Sequence, residues 1–164
     1  MHLTDEQRAL CVWENEGGAR TSNDRTLPTN PILITDADRR RLTVGLSRLC
    51  NSGRGRRENS SSLRRRIERA EIVRPTEIPR NVVTLNSRFV LKDLDSRRRL
   101  VCTLAEPWDH SPPGDRVSVS GPAGTALLGS RVGQIVRWRV GAHDRRFRIE
   151  QLLYQSEAAG DRCL

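Results

Sequence analysis

Positive charge is the chemistry that this sequence carries most densely, and arginine supplies nearly all of it. The 164 residues hold 29 Lys and Arg against 20 Asp and Glu, a formal net charge of +9. Residues 36–73 contain eleven arginines and five carboxylates, so most of the excess lies there. Its densest part is a basic patch of seven residues: Arg54, Arg56, Arg57, Arg64, Arg65, Arg66 and Arg69.

A solvated helix surface would account for any one of these arginines. Their concentration within residues 54–69 is what favours a binding role. Guanidinium groups donate paired hydrogen bonds to phosphate and carboxylate. The basic patch therefore predicts contact with nucleic-acid phosphate or with an acidic protein surface.

Residue types used in catalysis and metal binding are present, but without the spacing that such chemistry needs. Asp109, His110 and Ser111 are consecutive, so their side chains diverge instead of forming a nucleophile, base and orienting group. The four cysteines form no C-x-x-C pair and have no histidine at zinc-ligand spacing, which predicts reduced thiols: Cys11, Cys50, Cys102 and Cys163. We therefore expect no enzyme activity, no metal and no cofactor.

Two short helices are expected to carry the basic patch. Thr35 opens a capping-box-like start that places Asp36 and Asp38 in a first helical turn. Apolar residues then recur at i, i+4 and i+7 in both segments: Leu42, Leu46 and Leu49, then Leu63, Ile67 and Ala70. Residues 51–59 are predicted to be a polar turn, and a second helix is predicted to start at the serines 60–62 and end before Pro75. The prediction for residues 32–75 is a short antiparallel helical hairpin.

From Val82 onward the apolar period changes to two, which predicts strands. Five stretches alternate in this way, at about 82–91, 100–104, 117–119, 136–140 and 147–153. A short helix is expected at 123–128, where Gly129 suits a left-handed cap. The fold class is therefore α+β, with an antiparallel sheet packed on one short helix over residues 76–164. Residues 1–31 lack a sustained period and are expected to be a disordered extension.

The segment 117–133, VSVSGPAGTALLGSRVG, contains a strand, a turn, a one-turn helix and a glycine stop. It resembles the Ser-Pro-x-Gly-x-Ala-Leu-Leu-Gly-x-x-x-Gly-Asp signature of the C-terminal domain of Gre-type transcription factors. Its flanks, VVTLNSR at 82–88 and YQSEAAGD at 154–161, look more like Rnk, the regulator of nucleoside diphosphate kinase. The resemblance spans about 32–164 and implies an FKBP-like topology for the sheet.

The resemblance also implies a partner, since Gre-type factors enter the secondary channel of RNA polymerase with a helical hairpin and grip the rim of that channel with a C-terminal loop. The loop corresponds to Ser120, Gly121 and Pro122, although Ser120 stands where the family has an acidic residue. Transcript cleavage in that family uses carboxylates at the hairpin tip to hold magnesium. The tip here carries several arginines against the single Glu58. The implied function is a Rnk-like regulator that binds polymerase, competes with cleavage factors and does not stimulate cleavage; the family name implies a link to nucleoside diphosphate kinase.

Two alternatives remain at this point. The first is a basic nucleic-acid-binding module, including DNA binding, that uses the hairpin arginines with the sheet as scaffold. The second is a prolyl isomerase, which the resemblance to FKBP-like domains raises and an aromatic content of 4% disfavours. With no long apolar run and no signal-like start, the chain is expected to be cytoplasmic, away from membranes and monomeric.

Overall fold

The computed structural model describes residues 31–49, 54–106 and 115–160, with side-chain detail for all of these except 48, 49 and 54–60. The predicted disordered extension therefore lies outside the described residues. Within the described part, no helix has both the length and the apolar content needed to cross a membrane.

Two helices and two very short strands form the first part of the described chain. Their bounds are β1 Leu33–Ile34, α1 Asp36–Leu49, α2 Arg54–Glu68 and β2 Glu71–Ile72. A single 3₁₀ turn follows at Pro75–Glu77. Because β1 pairs with β2 in parallel, the start of α1 and the end of α2 lie side by side. The tip that joins the two helices, residues 50–53, lies outside the described residues.

The start of α1 agrees with the sequence prediction. The backbone N–H of Asp38 donates to Thr35 Oγ1 at 3.1 Å, which satisfies one of the unpaired donors of the first turn. The Thr35 hydroxyl donates in turn to Asp38 Oδ2 at 2.8 Å. Thr35 is therefore the N-cap of this helix.

The prediction of a turn over residues 51–59 is wrong for most of that segment, because α2 begins at Arg54. Glycine at position 55 disfavours a helix by about 1 kcal/mol relative to alanine. The arginines and the glutamate around it are good helix formers, and each residue added to an existing helix gains a backbone hydrogen bond. Helix propensity and the continued backbone hydrogen bonds therefore outweigh the turn-forming residues at this position.

Five strands form the main sheet: β3 Arg88–Asp93, β4 Arg99–Ala105, β5 Arg116–Ser118, β6 Ile135–Val140 and β7 His143–Tyr154. Their spatial order is β5-β4-β3-β7-β6. The predicted number of strands is correct, but the expected antiparallel sheet is mixed, because β5 pairs with β4 in parallel. An apolar period of two reports which side chains are buried and carries no information on strand direction.

The alternating residues from 82 to 85 do not belong to a strand of this sheet, contrary to prediction. Val82 makes only an isolated bridge with Arg131, and the next residues form a turn that the Ser87 N–H closes on the Thr84 carbonyl at 3.2 Å. Val83 and Leu85 are nonetheless 0% and 2% exposed. Their alternation reflects burial in the core, which a periodicity count cannot distinguish from strand pairing.

One hydrophobic core joins the helices to the sheet. The inner face of the sheet contributes Phe89, Leu91 and Phe147, and the same cluster contains Leu42 from α1 and Leu63 from α2. The predicted short helix is present as α3, Pro122–Leu127, and lies on this core. A last helical turn, α4, at Ser156–Ala159 was not predicted, and it follows β7 directly. The helical segment and the sheet are therefore packed as parts of one core.

Candidate partner-binding turn and basic surfaces

The turn between β5 and α3 contains the residues that the sequence singled out for partner binding. Its backbone is closed by a hydrogen bond from the Gly121 N–H to the Ser118 carbonyl at 3.1 Å. The two serine hydroxyls, Ser118 Oγ and Ser120 Oγ, lie 2.9 Å apart and are hydrogen-bonded. Gly121 is the N-cap of α3, and Pro122 occupies the first helical position, where no N–H is required.

The three predicted contact residues are not equally accessible. Ser120 and Pro122 are half-buried, whereas Gly121 is buried. Gly121 can therefore shape the turn but presents little surface to a partner. Of the three, Ser120 and Pro122 are the ones that a docking protein could touch.

Gly124, in α3, holds the helix close against this turn. A Cβ at position 124 would stand 1.9 Å from the carbonyl oxygen of Ser118, far inside van der Waals contact with backbone that cannot move aside. The hydroxyl of Thr125 adds a hydrogen bond to the Val119 carbonyl at 3.0 Å. The turn is thus fixed to the first turn of α3 before any partner arrives.

The end of α3 is fixed as well. Gly129 adopts φ +75°, the left-handed conformation that the sequence predicted for it, and a Cβ there would meet the side chain of Ile32 at 2.4 Å. The Gly129 N–H donates to the Val83 carbonyl at 2.8 Å, and the Val83 N–H donates to the Ser130 carbonyl at 2.9 Å. The buried segment before β3 therefore holds the C-terminal end of α3 in place.

Arg66 corrects the predicted basic patch, because it is buried and only 9% exposed. Its guanidinium donates to the carbonyl of Thr125, and its Nη2 donates to the carbonyl of Leu128 at 2.9 Å. These carbonyls lie at the C-terminal end of α3, where a positive charge complements the helix dipole. Burial lowers the pKa of Arg66 to about 10, so the group remains charged at neutral pH.

The helical spacing could have signalled this role. Leu63, Arg66, Ile67 and Ala70 stand at i, i+3, i+4 and i+7, so Arg66 lies on the same face as the apolar stripe. An arginine at such a position must find hydrogen-bond acceptors inside the protein. The prediction counted charge along the chain and missed the helical face on which each charge lies.

The rest of the predicted patch divides into two groups. Arg64 and Arg65 are exposed on α2, and Arg69 is exposed directly after its last residue, as a basic surface requires. Arg54, Arg56 and Arg57 lie within the first turn of the same helix, and their side chains fall outside the described detail. The three exposed arginines are called the helix arginines below.

The two motif flanks at 82–88 and 154–161 contact each other. Gln155 Nε2 donates to the carbonyls of Pro79 and Val82, at 3.0 and 2.8 Å. The Thr84 hydroxyl donates to Glu157 Oε2 at 2.7 Å and is 2.9 Å from Ser87 Oγ. Ser87 is completely buried, so these polar residues hold the segment before β3 against the end of the chain.

Glu157, in the same region, also lies close to Asp38 of α1. Burial raises the pKa of Asp38 to about 6, the neighbouring carboxylate of Glu157 acts in the same direction, and the Thr35 hydrogen bond opposes both. Asp38 lies in the first turn of α1, and Glu157 lies in α4, which follows the last strand. A pair of neighbouring carboxyl groups therefore links the first helix to the last.

The described residues contain no group of three or more His, Cys, Asp or Glu that could hold a metal ion. Asp109, His110 and Ser111 lie outside the described residues. What the described residues offer chemically is a fixed turn and, separately, a basic surface, which suits binding to a macromolecule.

The sheet and its turn define the class of this protein. Residues 78–154 match the family described as "Transcription elongation factor, GreA/GreB, C-term". A solved structure described as a prokaryotic transcription elongation factor GreA/GreB from Nitrosomonas europaea superposes with a TM-score of 0.64 at 34% identity, covering 77% of this chain and 100% of that one. The fold is thus that of a Gre-type factor.

A second comparison is more specific. The regulator of nucleoside diphosphate kinase of Escherichia coli K12 is 34% identical over 134 residues, which is 81% of this chain and 96% of that protein. The chain therefore belongs to the Rnk family of regulators of nucleoside diphosphate kinase, within the Gre-type transcription elongation factor superfamily. The transcription elongation factor GreA of Treponema pallidum is 29% identical over 53% of this chain and 54% of that factor, so the chain spans about half the length of that relative.

Proposed function

We propose that this chain binds RNA polymerase through the turn between β5 and α3, at the rim of the secondary channel, and regulates transcription by competing with Gre-type cleavage factors. Its relatives are regulators and transcription elongation factors, which supports a Gre-like regulator that is not itself an enzyme. Binding to RNA polymerase is the part of the proposal that goes beyond what these relatives support.

The observation that carries the proposal is the rigid support of the turn. Gly124 seats the helix directly on the Ser118 carbonyl, and Arg66 holds the other end of α3. Ser120 and Pro122 remain partly exposed at the apex. A turn that is already ordered loses little conformational entropy on binding, which favours its use as a docking element.

We propose further that the chain does not stimulate transcript cleavage. A magnesium ion at the hairpin tip would need carboxylate ligands, and the only acidic residue in the segment 51–59 is Glu58. It follows Arg54, Arg56 and Arg57 in sequence, and the positive charge of these arginines opposes the binding of a magnesium ion. Occupying the channel without this chemistry would block cleavage factors.

The domain division belongs to the same proposal: an extension over 1–31, a helical hairpin over 32–75 and an FKBP-like domain over 76–164. The family match at 78–154 supports the last boundary. The shared core of α1, α2 and the sheet indicates that the hairpin is fixed against the domain, so both would dock as one body.

The test is binding of the purified protein to core RNA polymerase, with Pro122→Asp compared with wild type. A carboxylate at this apex replaces a rigid apolar ring with a solvated charge, so polymerase affinity should fall by tenfold or more, about 1.4 kcal/mol. Pro75→Asp is the matched control, since Pro75 is an exposed proline that starts a different helical turn. The control should bind as wild type does, and equal loss in both variants would contradict docking through this turn.

The helix arginines support a second candidate function, nucleic-acid binding through the C-terminal part of α2 and the residue that follows it. Arg64, Arg65 and Arg69 are exposed and have no ion-pair partner among the described residues. A protein that worked in this way would bind nucleic acid with steep salt dependence and would be insensitive to Pro122→Asp. The polymerase experiment therefore separates the two candidates.

A further inference from the structure

A second basic surface lies on the outer face of the sheet, well away in sequence from the predicted patch. Arg137 and Arg139 project from β6, and Arg148 projects from β7. All three are exposed, and none has an ion-pair partner in the described part of the chain. They are called the sheet-face arginines below.

The register between the strands brings these arginines onto one face of the sheet together with other positively charged side chains. Arg148 stands directly opposite Lys92 on one side and opposite Ile135 on the other. Arg137 stands directly opposite Arg146, and Arg139 stands directly opposite Asp144. Residues directly opposite each other in a sheet share a face, so these side chains project from the same side. The other side is apolar, with Trp138 and Phe147 stacked at a ring-centroid distance of 4.0 Å.

Part of this positive charge is neutralised within the protein. Arg146 Nη2 is 3.1 Å from Asp95 Oδ1, and Glu150 pairs with Arg99 at 2.6 Å and with Lys92 at 3.6 Å. Among the described residues the sheet-face arginines form no ion pair of this kind, although the Asp144 carboxylate opposite Arg139 lowers the local positive charge. Like charges directly opposite each other destabilise a sheet, so the Arg137–Arg146 pairing does not contribute favourably to the fold. An anion bound between the two guanidinium groups would remove that repulsion.

The spacing and surroundings favour a repeating anion. Arg137 and Arg139 are two residues apart on one strand, a separation of about 7 Å, which is comparable to the distance between successive phosphates of an extended single strand. A protein partner would require an apolar centre in this surface. Among the described residues beside these arginines, Ile135 is the exposed apolar side chain, at 44% exposure, and Val90 near Arg148 is half-buried. Guanidinium groups also pair with phosphate through two parallel hydrogen bonds.

We propose that the outer face of strands β6 and β7 binds the phosphate backbone of a single-stranded nucleic acid, without sequence preference, through Arg137, Arg139 and Arg148. The binding would be electrostatic, because the aromatic residues next to these arginines in the strands, Trp138 and Phe147, are buried on the other side of the sheet and offer no ring for a base to stack on. This surface is separate from the turn that we propose for polymerase docking. Its test contains no polymerase, so either proposal can fail alone.

The experiment measures binding of a fluorescein-labelled oligouridine to the full chain by anisotropy, over a series of salt concentrations. The test variant is Arg137→Gln, Arg139→Gln and Arg148→Gln combined. Each lost phosphate contact should lower the salt slope of binding by about 0.7, so the triple variant should lose about 2 from the slope and about tenfold or more in affinity. Its thermal midpoint should be unchanged or higher, because like-charge repulsion has been removed.

The matched control removes the same charge elsewhere, through Arg74→Gln, Arg80→Gln and Arg131→Gln combined, three exposed arginines that belong neither to the sheet-face arginines nor to the helix arginines. It should keep most of the wild-type affinity and slope. Equal losses of affinity and salt slope in both variants would show that only the net charge of the protein matters, and would overturn the proposal. Undetectable binding of the oligonucleotide by the wild type would also overturn it. A labelled oligoglutamate that binds as tightly through the same three arginines would also overturn it, in favour of an acidic protein partner.

Discussion

At the scale of single residues, position 124 has no room for a side chain. The contact with the Ser118 carbonyl is to backbone, so a methyl group can be accommodated only if α3 or the turn moves. Gly124→Ala should therefore destabilise the protein by about 2 kcal/mol or more, as overpacking of a rigid site does. Denaturant unfolding measures this directly, and polymerase affinity should fall with it because the turn is displaced.

Gly133→Ala is the comparison for that prediction. A Cβ at position 133 meets no atom within 4 Å, and only the left-handed φ of +89° opposes the change. The expected cost is about 1–2 kcal/mol, with polymerase affinity unchanged. If Gly124→Ala were as stable as wild type, the turn would be less constrained than its contacts indicate.

At the scale of elements, Arg66 joins α2 to the end of α3. Arg66→Met keeps much of the side-chain volume but removes the donors to Thr125 and Leu128. Hydrogen bonds from charged groups contribute about 1.5–3 kcal/mol each, so a loss of about 2–4 kcal/mol in unfolding free energy is expected. Arg65→Met, one residue away and exposed, should change stability by no more than about 0.5 kcal/mol. Similar effects of the two substitutions would contradict the buried role.

Elements were predictable from sequence where a local rule determines them. Thr35 caps α1 and Gly129 ends α3, because capping and left-handed φ depend on a few neighbouring residues. The parallel pairing of β5 and the burial of Arg66 were not predictable in this way. Both depend on contacts between distant segments, such as the register of Thr103 with Arg116.

The same distinction between local and long-range determinants applies to the candidate sites. The motif identified Ser120, Gly121 and Pro122 from sequence, but only the structure separates the buried Gly121 from the two residues that a partner can reach. The sheet-face arginines had no signal of their own, because alternate arginines on a strand are usual for a solvated face. Register across β6 and β7 is what brings them together.

At the scale of the whole molecule, Asp38 and Glu157 join the first helix to the end of the described chain, and their proximity predicts a pH dependence of stability. The pKa of Asp38 is about 6 in the folded protein against an ordinary 3.8, through burial and the Glu157 carboxylate, with Thr35 and Arg41 opposing. The folded state therefore holds a proton that the unfolded chain releases. This contribution to stability is complete below pH 3.8 and is lost as the pH rises through about 6.

A comparison of Asp38→Asn with wild type isolates the contribution of Asp38 protonation to stability, since the other carboxyl groups titrate in both proteins. Relative to wild type, the variant should gain thermal stability as the pH rises from 4 to 7, because its side chain stays neutral beside Glu157. Thermal midpoints across that range provide the measurement. A difference between the two proteins that does not vary with pH would show that Asp38 is already ionised in the fold.

The central claim, that this Rnk-family chain docks at the secondary channel of RNA polymerase, is tested most directly by competition with a Gre-type cleavage factor. Labelled wild-type protein would be bound to core polymerase and titrated with unlabelled GreA. We predict that GreA displaces it fully and that the protein, in turn, suppresses GreA-stimulated transcript cleavage. Simultaneous binding of both proteins to one polymerase, with cleavage unaffected, would contradict the claim.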